Sequence, residues 1–237
     1  MKLSDLIFAV KLNHMSYGEC HKLQLKLRNA VIHQKIPQTL LLVEHPPVIT
    51  LGRRARDENL LINKAALQNK GVEVVEVERG GDVTYHGPGQ MVAYPIFHIG
   101  SAVRMHVENL AQAGALTCRD YGVTPHWDKT RPGLWVHGRK IAAIGVHIHK
   151  GVSIHGMALN VSGPLEGFQW IVPCGLHDTA ITTLEQEAES KEPPEMDGVM
   201  DLFKKNLTET TTSPPFTFLP QLELFSYLEE TNNQKTT

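Results

Sequence analysis

GLWVHGRKIAAIGVHIHKGVSIHGMALNV, residues Gly133–Val161, is the stretch that decides the fold class. Gly133 to Val136 and Ile141 to His149 read as a hairpin turning at His137-Gly138, and Ser153 to Val161 reads as a third strand following it. Upstream, Val103 to Tyr121 has the spacing of an amphipathic helix, with an expected buried stripe of Val103, Val107, Leu110, Gly114 and Cys118. Hairpins mixed with helices in this order point to an α+β fold with a mixed sheet rather than to a doubly wound parallel one.

Working toward the N-terminus, Met91 to Phe97 reads as a strand, and Val72 to Glu78 alternates apolar and acidic residues as a half-exposed strand does. Asn63 to Lys70 is a short helix closed by Gly71. Thr39 to Glu44 is a continuous apolar strand stopped by His45-Pro46-Pro47. Val48 to Leu51 is a brief strand leading into the basic cluster Arg53, Arg54 and Arg56. Ser16 and Glu19 form a capping box for a helix that places Cys20, Leu23, Leu27 and Val31 on one side, and Ile7 to Val10 is a short apolar strand. Both Cys20 and Cys118 therefore read as core residues. Toward the C-terminus, Ile181 to Glu189 begins a helix capped by Thr182 with Glu185, and Met196 to Leu207 is a further helix. The segment 210–237 is Thr- and Pro-rich and then polar, and is expected to be weakly ordered beside a cored domain over 1–209.

A chain of 237 residues that is 41% hydrophobic can bury one substantial core. Net charge of −2 and a pI near 6.7 give no electrostatic footprint for nucleic acid or an anionic membrane. Three cysteines without paired spacing argue against a disulfide framework and for a reducing compartment. The first ten residues lack a signal-peptide apolar region, and no apolar run approaches membrane-spanning length. The expected location is the cytoplasm, or the mitochondrion if the chain is a mature organellar form.

Chemistry concentrates in two glycine-punctuated segments and one lysine. Arg79 to Gln90 holds four glycines and a proline. Gly80-Gly81 allows positive φ and close approach to a ligand, Arg79 could pair with an anionic group, and His86 could donate a hydrogen bond or position a carbonyl. The segment matches neither a Walker A loop nor a dinucleotide fingerprint. Cys174, flanked by Pro173 and Gly175, lies on no amphipathic stripe; a thiol on such a turn has backbone N–H groups near it. Lowering a thiol pKa by about two units takes roughly 2.7 kcal/mol and makes it mostly thiolate at neutral pH. Lys140, at the start of an apolar strand face, is the cation placed to supply this. The bland alternatives are a bystander loop cysteine and a lysine that snorkels to water. Ala143 and Gly145 on one strand and Gly156 and Ala158 on the next leave a slot that a straight acyl chain could fill, or simply pack closely. His147 with His149, and Cys174 with His177, invite a metal reading, but no spacing supplies four converging ligands.

Four segments agree in order and spacing with one family: Arg79 to Gln90, Gly138 to Gly145, His155 to Asn160, and Val172 to Gly175. Over about Leu12 to Glu187 the chain closely resembles the lipoyl(octanoyl) transferases. The resemblance implies the fold of the lipoate and biotin ligase catalytic domains. It implies transfer of an octanoyl group from octanoyl–acyl carrier protein to a lysine of lipoyl domains, those of 2-oxoacid dehydrogenase complexes and the glycine cleavage system. It makes Cys174 the acyl-thioester nucleophile and Lys140 the group that lowers its pKa. It implies substrate contacts from Arg79, Gly80, Gly81, Asp82, Val83, Thr84, Tyr85 and His86, from Ala143, Ile144 and Gly145, and from Gly156, Met157 and Ala158. It calls for no cofactor and no metal, nucleic-acid or membrane partner. An ATP-dependent ligase of the same fold, a Cys–His hydrolase with His86 or His155 as base, and a non-catalytic metal- or carrier-binding module remain as alternatives.

Overall fold

The computed structural model describes residues 6–175, 179–189, 192–211 and 216–233, with the backbone alone for 174 and 230–233. In chain order these form β1 (Ile7–His14), α1 (Tyr17–Ile32), β2 (Gln38–Glu44), β3 (Val48–Leu51), α2 (Lys64–Asn69), β4 (Glu73–Glu76), β5 (Val83–His86), β6 (Gln90–Ile96), α3 (Val103–Arg119) and β7 (His126–Asp128). There follow β8 (Gly133–Val136), β9 (Arg139–His149), β10 (Val152–Asn160), α4 (Leu184–Glu187), α5 (Met196–Thr211), β11 (Phe216–Phe218) and α6 (Gln221–Asn233). An eight-stranded sheet has the order β11-β1-β2-β6-β10-β9-β8-β7, and a three-stranded one the order β4-β3-β5. Both are mixed: β1 pairs parallel with β2 and β11, and β3 parallel with β4, while the remaining pairs are antiparallel. The architecture is the expected α+β one.

The continuous apolar run of β2 is explained by burial on both faces. Leu40 and Leu42 point into a core with α3 and α5, whereas Leu41 and Val43 point into a second core with α1 and α6. The hairpins turn where L-residues accept positive φ: His137 and Gly138 at 48° and 78°, then Lys150 and Gly151 at 48° and 77°. At the start of α1, Ser16 Oγ accepts from the Glu19 amide at 3.3 Å and donates to its carboxylate at 2.6 Å.

Three expectations need correction. Val103, the first residue of α3, is 38% exposed, and His106 takes a buried place on the stripe above Leu110, Gly114 and Cys118. The cap of α4 is Thr183, whose Oγ1 accepts from the Gln186 amide at 3.1 Å, one residue later than the sequence pattern placed it. The segment 210–237 is not uniformly loose. β11 extends the large sheet alongside β1, and Leu219, Leu224 and Leu228 bury against the α1 side of it. The Thr- and Pro-rich composition around them hid a short strand and an i,i+4 leucine pair.

Candidate active site

The small residues of β9 and β10 face each other directly. Gly145 pairs with Gly156 and Ala143 with Ala158 across the antiparallel ladder. Opposite them lies the Arg79–Asp82 loop, held to the sheet by a 3.0 Å bond from the Gly80 amide to the Val146 carbonyl. Between them is a narrow pocket of about 50 Å³. Arg79, Gly80, Gly81, Asp82, Thr84 and His86 line it from one side, and Ala143, Ile144, Gly145, Gly156, Met157 and Ala158 from the other. Val83 and Tyr85, expected among the substrate contacts, point the opposite way on β5 and pack in the core of the small sheet. Strand alternation decides this, since Thr84 and His86 share one face and Val83 and Tyr85 the other.

Glycine at 145 and 156 has two different causes. A Cβ at Gly145 would come within 3.0 Å of the Gly80 carbonyl oxygen, so its absence lets the loop approach. A Cβ at Gly156 would run into the Ala93 carbonyl oxygen on β6, so that glycine serves sheet packing. Next to it, His155 has φ of 59°, a conformation uncommon outside glycine.

The deep end of the pocket is a bed of buried rings that the sequence did not announce. Tyr17 stacks on His86 with ring centres 5.9 Å apart, and its hydroxyl lies 3.4 Å from His155 Nδ1. Burial raises the Tyr17 pKa, so the phenol stays protonated. His45 donates from Nδ1 to the Met15 carbonyl at 2.7 Å and meets the Tyr94 hydroxyl at 2.9 Å. Burial lowers the His45 pKa to about 4 and the His86 pKa to about 3, leaving both neutral at pH 7.

A side-chain relay fixes the tautomer of His86. Asn160 Nδ2 donates to the Thr182 carbonyl at 3.0 Å, and Gln90 Nε2 donates to Asn160 Oδ1 at 2.9 Å. Gln90 Oε1 must then accept from His86 Nδ1 at 2.6 Å. His86 thus keeps its Nε2 lone pair. At its far end the relay reaches Lys140, because the Thr182 amide donates to the Lys140 carbonyl at 3.0 Å.

Lys140 is only 4% exposed, and its ammonium lies 5.5 Å from the centre of the Trp135 ring. It does not snorkel. Lys140 and Pro173 line one small cavity, which also touches Thr84, Ala143 and Ala158 of the main pocket. The Pro173–Gly175 turn is therefore beside the lysine, although the Cys174 side chain lies outside what the structure describes. Gly175, at φ of 68°, donates its amide to the Val172 carbonyl at 3.0 Å, so this N–H is engaged within the turn. Asn59 ties the turn to the glycine loop: its carbonyl accepts from the Val172 amide at 2.8 Å and its Nδ2 donates to Asp82 Oδ2 at 2.7 Å. Arg79 anchors the same loop, donating from Nη2 to the Thr50 carbonyl at 2.7 Å and from Nη1 to the Gly80 carbonyl at 3.1 Å. It is a scaffold cation at the pocket wall.

One group of potential metal ligands stands beside this bed: His21, Glu78 and His155, whose ligand atoms lie within 4.8 Å of one another. The two imidazoles are stacked at 5.4 Å with planes only 22° apart, which sends their in-plane lone pairs side by side rather than to one point. Arg28 lies 3.9 Å from the same carboxylate. The group fits an ion-pair network centred on Glu78, which the facing His155 and His21 hold well below the usual carboxylate range. No third ligand joins His147 and His149 among the described residues, and His177 lies outside them.

Known proteins resemble this chain in sequence and in fold. Residues 16–208 match the family model described as the lipoyl protein ligase A/B catalytic domain. The octanoyltransferase of Caldicellulosiruptor saccharolyticus is 46% identical over 180 residues, spanning 74% of this chain and 77% of that one. That of Alkaliphilus metalliredigens is 44% identical over 181 residues, spanning 75% and 83%. Among solved structures, a lipoate-protein ligase A bound with ATP superposes with a TM-score of 0.68 at 12% identity, covering 98% of this chain and 95% of that one. A bipartite lipoate protein ligase from Thermoplasma acidophilum gives 0.69 at 12% identity, covering 97% and 93%. These two likenesses concern the fold.

Proposed function

We propose, from the premise that this chain belongs to the lipoyl protein ligase A/B catalytic-domain family and catalyses octanoyl transfer in protein lipoylation, a two-step route through a Cys174 thioester. The donor is octanoyl–acyl carrier protein. The Cys174 thiolate attacks the donor carbonyl, the bond from that carbon to the carrier sulfur breaks, and the carrier leaves as a thiol after taking up one proton. The amine of an acceptor lysine on a lipoyl domain then attacks the new thioester. The amide bond forms, the amine gives up a proton, and Cys174 is released.

The observation that carries this reading is the shared wall. Ala143 and Ala158 line both the slot beside the glycine loop and the small cavity holding Lys140 and Pro173. An acyl chain lying along Ala143 and Ala158, beside the glycine loop, would have its carbonyl end toward the cysteine turn and its methyl end toward the ring bed. The buried Lys140 ammonium is suited to stabilise a thiolate, since burial strengthens a charge pair that water would screen.

Intact-mass analysis after incubation with octanoyl–acyl carrier protein tests the route. One added octanoyl group, mapped to Cys174 and discharged by a lipoyl domain, is the expected result. Amide formation that needs ATP and releases pyrophosphate, with no acyl adduct on the enzyme, would overturn it.

A further inference from the structure

The arginines at 53, 54 and 56 are left without a task by the acyl slot. Their backbone explains where they sit. The Gly52 amide donates to the Asp82 carbonyl at 3.1 Å, Arg53 to the Arg79 carbonyl at 3.1 Å, and Arg54 to the Gly81 carbonyl at 3.0 Å. The basic segment is thereby laced along the outer side of the glycine loop. Outside the loop lies an open cleft of about 710 Å³. Gly80, Gly81, Asp82, Ile144 and Gly145 line both, so cleft and slot adjoin at these residues, and Gly175 of the cysteine turn also borders the cleft.

Arginines from two chain segments line the cleft. Arg54 and Arg56 stand on the segment after β3, and Arg131 on the β7–β8 connection. Arg56 is paired with Glu58 at 3.3 Å. Arg131 is held in place by Asp128 at 2.8 Å and lies over the Trp135 ring at 4.2 Å. Arg54 is exposed and makes no ion pair among the described residues. In a chain of net charge −2, an exposed arginine without a carboxylate and a second one pre-oriented on the same cleft form a local site for an anion. Their separation from the buried ring bed makes the acyl chain an unsuitable occupant.

We infer that Arg54 and Arg131 bind the phosphate group borne by the thiol arm of the acyl donor. This rests on the proposed thioester route: when the acyl chain occupies the slot and its carbonyl meets the cysteine turn, the remainder of the donor must leave through the adjoining cleft. A pantetheine arm is neutral along its length and carries its charge at the phosphate, so a pair of guanidinium groups at the cleft side selects that end of it. Arg131 is stacked and paired beforehand, which lowers the ordering cost of binding.

The test uses two small donors and the full chain: octanoyl-pantetheine, which lacks the phosphate, and octanoyl-4′-phosphopantetheine. In the unmodified protein the phosphorylated donor should acylate Cys174 with kcat/KM about tenfold or more above the other. In Arg54→Gln and Arg131→Gln the ratio between donors should fall toward one, while Arg54→Lys should retain part of it. A structural role for the arginines would lower both donors by the same factor and leave the ratio intact, which overturns the inference. A ratio of one in the unmodified protein, with the variants slowed only toward the intact carrier protein, also overturns it and assigns the arginines to the carrier's protein surface. Absence of acylation with both small donors, while octanoyl–acyl carrier protein still acylates Cys174, overturns this inference alone; absence with all three donors defeats the thioester route itself.

Discussion

The two walls of the acyl slot are built by different means. The β9–β10 wall is fixed by a backbone ladder, in which Gly145–Gly156 and Ala143–Ala158 are cross-strand pairs separated by the pair Ile144–Met157. The facing wall is made of loops, and side chains hold it: Arg79 on Thr50, and Asn59 joining Asp82 to the cysteine turn. On the ladder wall a side chain matters through its volume; on the loop wall it matters through its hydrogen bonds. Substitutions on the two walls should therefore fail in different ways.

The largest effect expected is at the point where the walls meet. Lys140→Ala removes a buried cation from the ladder wall facing the turn. If Lys140 lowers the thiol pKa by about two units, alkylation of Cys174 by iodoacetamide near neutral pH should slow about a hundredfold. Lys140→Arg should recover that pKa better than it recovers turnover, because the charge returns in a different shape. An unchanged alkylation profile in Lys140→Ala would remove this role.

Second in size is Asn59→Ala, which leaves the ladder wall untouched. It deprives Asp82 of a 2.7 Å hydrogen bond. A bond to a charged group contributes about 1.5–3 kcal/mol, so octanoyl transfer should fall about 10- to 100-fold if that tie positions the turn. Equal loss of transfer and of melting stability, with no excess in transfer, would make Asn59 a purely structural residue.

On the ladder wall, Gly156→Ala should cost about 1–3 kcal/mol of stability, because the new methyl group meets the Ala93 carbonyl oxygen. Ala158→Val, at the slot itself, should instead change selectivity among hexanoyl, octanoyl and decanoyl carrier protein toward the shorter donors, by roughly 0.8 kcal/mol per displaced CH₂. Uniform loss across all three donors would mean that Ala158 acts through packing alone.

The effect smallest at neutral pH, growing only as the solution is acidified, is spread over the ring bed. His86 and His45 have pKa values lowered to about 3 and about 4. An unfolded chain takes up a proton at each as pH falls below about 6.5, whereas the folded chain does not. Stability should thus be fully present above pH 6.5 and decline by up to about 1.4 kcal/mol per pH unit per histidine, down to the folded values. Denaturation of His86→Gln between pH 6.5 and 4.5 should show a shallower slope than the parent; an equal slope would place this linkage elsewhere.

What was readable in the sequence follows the same division. Period-two patterning exposed β9 and β10, and small residues alternating on both strands exposed the ladder wall. The loop wall was legible only through its glycines. Asn59 lies in an unremarkable polar stretch, and its value comes from meeting both Val172 and Asp82, which are far away in the chain. The ring bed was missed for a related reason. Tyr17 looked like part of a capping box and His45 like the end of a strand, and each reaches the pocket only through tertiary packing. Val83 and Tyr85 came with their motif, although alternation along β5 turns them away from the pocket.

Cys20 and Cys118 are both buried, and burial pushes each thiol pKa up to about 12. They lie on opposite faces of the large sheet, one in the core with α1 and α6, the other in the core with α3 and α5. The native chain therefore contains two silent reporters of its own opening. The modification rate of each thiol measures how often the layer over it lifts away, and comparing the two distinguishes local breathing of one helical layer from concerted loss of both.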